Sequence, residues 1–171
     1  MINYFWDNIF KGDRKQKTIF AALKNNILFK DLNPFELQLV QNIINVRDYQ
    51  KGEIVFQYGE AGVGMYIIVK GSVNISLNGK HITQLKEGDF FGEIALVEEG
   101  GRRTADTVSA EESVLIGFFK PDLFEITSRN PTAGVKILSR LAQVLGTRLL
   151  ETTALITTLR RDAKPNDQKN P

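Results

Sequence analysis

Apolar residues recur along the chain with two periods, and the change of period divides it. Ile2, Phe5, Trp6, Ile9 and Phe10 fall at i, i+3, i+4, i+7 and i+8, the stripe of an amphipathic helix, and Lys11-Gly12-Asp13 ends it. A second short helix is expected over about 16–25, with Ile19, Phe20 and Leu23 on its apolar face. Asn33-Pro34-Phe35-Glu36 reads as a helix start: Asn33 can cap, Pro34 fits the first turn, and Glu36 holds the capping-box position. That helix carries Leu37, Leu39, Val40, Ile43 and Ile44 and ends near Asn45.

From Val46 the pattern shortens. Val46–Tyr49, Ile54–Tyr58, Met65–Lys70, Val73–Leu77 and His81–Leu85 are β-branched or aromatic runs separated by glycine-bearing turns. Asn78-Gly79 is the pair that a tight type I′ hairpin needs. Residues 103–109 and 113–119 supply two further strands, so seven or eight short strands suggest a sandwich or barrel. The helical period returns at Pro121-Asp122-Leu123-Phe124, expected to open about two turns. Asn130-Pro131 starts a last helix over roughly 132–160, about 43 Å long. Along it Leu138, Leu141, Leu145, Arg148, Thr152, Leu155 and Leu159 step by three and four, a heptad seam with a polar break. The seam could pair with a second copy through 138–159 or face the protein's own strands. Arg160 to Pro171 is polar and reads as a disordered tail.

Composition narrows the chemistry. The 171 residues suffice for one domain with a real core, and a net charge of +2 gives no argument for nucleic acid or an anionic membrane. There is no cysteine, which excludes disulfides and thiolate metal sites, and the single histidine, His81, excludes a multi-histidine site. No apolar run reaches the ~18 residues of a membrane helix, and no secretory leader is evident, so a cytoplasmic protein without membrane association is expected. Nothing pairs a nucleophile with a base, so an enzyme is not expected.

The stretch Gly88–Ala105 concentrates the candidate chemistry. Arg102 and Arg103 offer planar forks that suit a phosphate. The segment from Gly92 can present backbone N–H groups at a short helix start, which also favours anions. Glu93 makes sense beside an anion if the ligand also carries hydroxyl donors, because a carboxylate only accepts. Anion and hydroxyl held within ten residues suggest a sugar phosphate.

Helices, then strands containing Phe91-Gly92-Glu93-Ile94-Ala95-Leu96 with Arg103-Thr104-Ala105 ten residues after the Glu, then a long helix: this resembles the cyclic-nucleotide-binding domain family over about residues 30–160. Lys51-Gly52-Glu53 and Tyr66–Gly71 match the same family's early strands. The resemblance implies an α+β, mainly β fold: an eight-stranded antiparallel β-roll, jelly-roll-like, between N-terminal helices and a long C-terminal helix. It divides the chain into a helical extension (1–28), the binding domain (29–160, with the helix at 132–160) and the tail (161–171). It implies that Gly92, Ile94 and Ala95 lie where backbone amides cradle a cyclic phosphate. Glu93 would accept from the ribose 2′-OH and Arg103 would pair with the phosphate. Thr104 and Ala105 follow in the same motif, and Thr152 and Thr153 would meet the base. Arg102 is expected to be a solvated surface charge.

The family usually has Val four residues after this arginine, whereas here Val108 stands five after Arg103. Alternation puts Arg103, Ala105 and Thr107 on one face and Val108 on the other. Either a bulge restores the pattern or the inner face is more polar than usual.

The function implied is a regulatory sensor of cyclic AMP or cyclic GMP, with no other cofactor, signalling through its C-terminal helix as a homodimer to a protein partner. The residues after the long helix are too few for a helix-turn-helix, so DNA binding is not expected. The competing reading is a nucleotide-free interaction module of the same fold.

Overall fold

A computed structural model describes residues 15–162, so the Ile2–Phe10 stripe and residues 163–171 lie outside the described residues. Residues 15–25 form helix α1. Helix α2 is Pro34–Ile43, and strands β1 (Asn45–Tyr49), β2 (Ile54–Phe56), β3 (Gly64–Lys70), β4 (Ser72–Leu77), β5 (Lys80–Lys86) and β6 (Phe90–Phe91) follow. A single 3-10 turn, Glu93–Leu96, precedes β7 (Asp106–Ser109) and β8 (Ser113–Phe119). Helices α3 (Lys120–Arg129) and α4 (Pro131–Asp162) complete the order. None of the described helices is long and apolar enough to cross a membrane.

The eight strands pair antiparallel in two four-stranded sheets, β1-β8-β3-β6 and β2-β7-β4-β5. The β4–β5 hairpin turns at Asn78 and Gly79, both with positive φ (52° and 73°), as a type I′ turn requires. Strand β3 is buried on both faces, and the alternation of side chains assigns its residues to two cores. Met65, Ile67 and Val69 face the helices with Ile116 and Phe118 of β8, whereas Ile68 faces the opposite sheet with Leu115. The rings of Phe29 and Phe118 meet edge to face, 5.4 Å between centroids.

The helices are fixed by the caps that the sequence suggested. Asn33 Oδ1 accepts from the Glu36 N–H at 2.9 Å, and Glu36 Oε2 accepts from the Asn33 N–H at 2.8 Å. Buried Glu36 also accepts from Lys136 Nζ at 2.7 Å, tying α2 to α4. Asn130 caps α4 through the Ala133 N–H. Ala133, Ile137 and Leu141 are fully buried in the core that holds Ile19, Leu23 and Phe29, and Val144 and Leu145 pack on its edge. From Leu149 to Arg161 every residue of α4 is exposed, including Leu155, Ile156 and Leu159. The heptad seam therefore divides: Leu141 and Leu145 serve the protein's own core, whereas Leu138 before them and Leu155 and Leu159 after them are exposed.

Strand β7 differs from expectation at its start. It begins at Asp106, because the Arg103 backbone is taken by the preceding loop: its N–H donates to the Glu60 carbonyl and its carbonyl accepts from the Gly59 N–H. The bulge in this region lies on β2, between Ile54 and Phe56, while β7 pairs regularly with β4. Thr107 and Ser109 are the buried residues of β7 and Val108 is not, so the inner face is the more polar one.

Candidate functional site

A cavity of about 310 Å³ opens between the β2-β7-β4-β5 sheet, the 3-10 turn and α4. Gly92, Glu93, Ile94, Ala95, Arg103, Thr104 and Ala105 all line it, so the structure brings together the residues that the Gly88–Ala105 stretch singled out. Phe56, Ile75 and Leu85 give it an apolar wall.

Arg103 forms the floor. It is 6% exposed, and its guanidinium carbon lies 4.0 Å from the Phe56 ring centroid and 5.6 Å from that of Tyr66. Cation–π attraction of this kind strengthens when water is excluded. Nη1 donates to the Gly64 carbonyl at 2.7 Å and reaches the Gly92 carbonyl at 3.4 Å, whereas Nε has no hydrogen-bond partner. No carboxylate among the described residues pairs with it. Burial pushes the guanidinium pKa down, with Tyr66 and Glu60 acting the other way, but an arginine stays protonated in proteins. The floor is thus a desolvated cation without an anion.

Gly92 makes room for it. Its φ is +76°, and a Cβ there would stand 2.5 Å from Arg103 Nη1. Gly64 permits the close approach of β3 to β8, since a Cβ would stand 2.4 Å from the Phe118 carbonyl oxygen. That approach holds the carbonyl to which Arg103 donates. Arg102 is exposed, as expected, yet it also lines the cavity and donates to the Gly59 carbonyl at 2.6 Å.

Glu93 is 2% exposed, and its Oε1 accepts from Arg148 Nη1 of α4. Arg148 also reaches the Phe90 carbonyl and lies 4.9 Å from the Phe90 ring centroid. It therefore closes the cavity on the helix side. In the sequence Arg148 reads only as part of a polar break in the seam with Thr152; its being the one charge in that seam is the available signal. Thr152 and Thr153 are not brought to the cavity. Both are exposed, and each hydroxyl donates back to the carbonyl four residues earlier, at Arg148 and Leu149.

Residues 46–130 match the profile described as the cyclic nucleotide-binding domain. The "Cyclic AMP receptor protein" of Thermus thermophilus is 31% identical over 134 residues, covering 75% of this chain and 60% of the relative. A "cGMP-dependent protein kinase" of Eimeria tenella is 27% identical over 128 residues, covering 69% of this chain and 13% of the relative. The crystal structure of the Thermus thermophilus catabolite activator protein superposes with a TM-score of 0.70 at 28% identity, covering 79% of this chain and 63% of that one. The chain spans less than two thirds of the length of each of these relatives. With the motif, the two-sheet fold and the cavity at its edge in agreement with these matches, the chain belongs to the cyclic nucleotide-binding domain family.

Proposed function

We propose that the chain is a regulatory domain that binds a cyclic mononucleotide, cyclic AMP or cyclic GMP, in the Arg103–Glu93 cavity. The observation that carries the reading is Arg103: a buried guanidinium with an unpartnered Nε and no carboxylate beside it, at the floor of a cavity of about 310 Å³. A cyclic phosphate is the anion such a fork takes. Gly92 and Ile94 offer backbone N–H groups at the first turn, Glu93 accepts the ribose 2′-OH, and Thr104 and Ala105 flank the phosphate. The Ala95 N–H donates to the Gly92 carbonyl at 3.2 Å, and a phosphate would compete with that carbonyl for it. The names of the Thermus and Eimeria relatives, a cyclic AMP receptor and a cGMP-dependent kinase, support the ligand class and leave either base open.

Signal transmission follows from Arg148. Glu93 accepts from Arg148 in this structure. A ribose hydroxyl on Glu93 competes with Arg148, so the ligand favours an arrangement in which α4 has let go. Thr152 and Thr153 then reach the base only if α4 moves or a second copy supplies them. The exposed Leu149, Leu155, Ile156 and Leu159 support a homodimer through the later part of α4. On this reading residues 29–160 act as the sensing unit, without catalysis or DNA contact of their own, and the signal passes to a protein partner.

A thermal-shift series with cyclic AMP, cyclic GMP and cyclic dinucleotides tests the assignment. A true ligand at a hundred times its dissociation constant should stabilise the protein by about 2.7 kcal/mol. An unchanged melt with both mononucleotides would remove the reading.

A further inference from the structure

One group in the cavity has no part in the reading above. Thr107, at the centre of β7, is 0% exposed, lines the cavity, and its Oγ1 has no hydrogen-bond partner. A buried hydroxyl left unpaired is costly, and valine would fill the same space without that cost. The position also faces apolar neighbours: its ladder partners are Phe56 on β2 and Ile75 on β4, both of which line the same cavity.

Arg103 Nε is the other orphaned polar atom of this cavity. The two orphans share a neighbour, for the guanidinium lies over the Phe56 ring and Thr107 pairs beside Phe56 in the ladder. An arginine nitrogen only donates, and a hydroxyl can donate, so an anion satisfies both at once. A neutral base edge set against Thr107 would leave Nε unpaired. We propose that the Thr107 hydroxyl is a further ligand-binding group, donating to the same phosphate that Arg103 holds. This rests on the cyclic-nucleotide reading and deepens it, because it makes Thr107 a reader of the phosphate shared by both nucleotides.

The test is calorimetric binding of cyclic AMP and cyclic GMP to the full chain, its Thr107→Val and Arg103→Ala variants and the double variant, with circular dichroism to establish folding. Thr107→Val should bind whichever nucleotides the parent binds about tenfold more weakly, by the same factor for each. The two substitutions should not add in the double variant, since they act on one group. Without ligand, Thr107→Val should melt above the parent. Unchanged affinity in Thr107→Val alongside a loss in Arg103→Ala overturns the Thr107 role alone. A loss confined to one of two bound nucleotides overturns it in favour of base recognition, and a lower ligand-free melt shows the hydroxyl already satisfied. A folded parent that binds neither nucleotide overturns the site reading, and this inference with it.

Discussion

The two walls of the cavity each present an arginine, and they hold it in opposite ways. Arg103, on the sheet side, is enclosed by Phe56 and Tyr66 and fixed by the Gly64 carbonyl. Its geometry is set before any ligand arrives, so little ordering cost is added on binding. Arg148, on the helix side, has a side chain 46% exposed, and it extends from the last covered turn of α4 to Glu93. The pair is half exposed on the Arg148 side alone, the Glu93 side chain being 3% exposed, so a ligand that displaces Arg148 must itself satisfy the buried carboxylate. On the proposed function one wall would receive the ligand and the other would be displaced by it. Long-range placement of a charge does not by itself say which of these a residue does; burial and the number of its anchors do.

The contrast is broken most directly through the helix. Leu141→Ala, in the covered half of α4, should cost about 2–5 kcal/mol of stability in urea unfolding, whereas Leu155→Ala in the exposed half should stay within about 0.5 kcal/mol in dilute protein. Equal losses would mean that the later half has a partner within the monomer. Next comes Arg103→Ala, expected to weaken cyclic nucleotide by about 1.5–3 kcal/mol in calorimetry. Retained affinity would remove Arg103 as the phosphate ligand. Gly92→Ala forces a side chain into a left-handed backbone and against Arg103, so a stability loss of about 1–2 kcal/mol should accompany weaker binding. A neutral result would show that the turn relaxes.

The smaller effects sharpen the comparison. Arg148→Ala removes the competitor for Glu93, and nucleotide affinity should rise by up to about 1 kcal/mol; a fall would make Arg148 part of the bound site. The smallest is an acid limb. Burial raises the pKa of the Glu36 carboxyl, but Lys136 and the Asn33 N–H outweigh it and hold the group below the usual glutamate range. A lowered folded-state pKa supplies stability that is complete above the unfolded value and lost as the pH falls through the folded one. The stability gap between the parent and Glu36→Gln should therefore narrow as the solution is acidified through that window. A gap of constant size would mean that Glu36 acts through packing alone.

Much of this was legible in the residues because its causes are local. Capping by Asn33 and Glu36 and the Asn78-Gly79 turn depend on neighbours in sequence and stand as read, and the residues of the glycine–glutamate–arginine spacing line one cavity. Strand β6 has only two residues and no periodicity to detect; it exists because Phe90 and Phe91 meet Ile67 and Tyr66 of β3. The start of β7 differs from the local pattern because the Arg103 backbone is claimed by a loop more than forty residues earlier. Arg148 was missed for the same kind of reason: its partner is 55 residues away, and heptad spacing reports only which face of a helix it shares. The polar inner face of β7 was one of two possibilities, and the choice was made by where the bulge fell, on β2.

Helix α4 runs for 32 residues without interruption, and its anchored part ends near Arg148. The remaining 14 residues to Asp162 extend the helix by about 21 Å. A pivot of only about 10° at its root carries the free end through about 3.5 Å, most of a helical turn's rise. On the proposed function, a change on the scale of one side-chain contact at Glu93 would thereby be geared up at the surface where another molecule would read it.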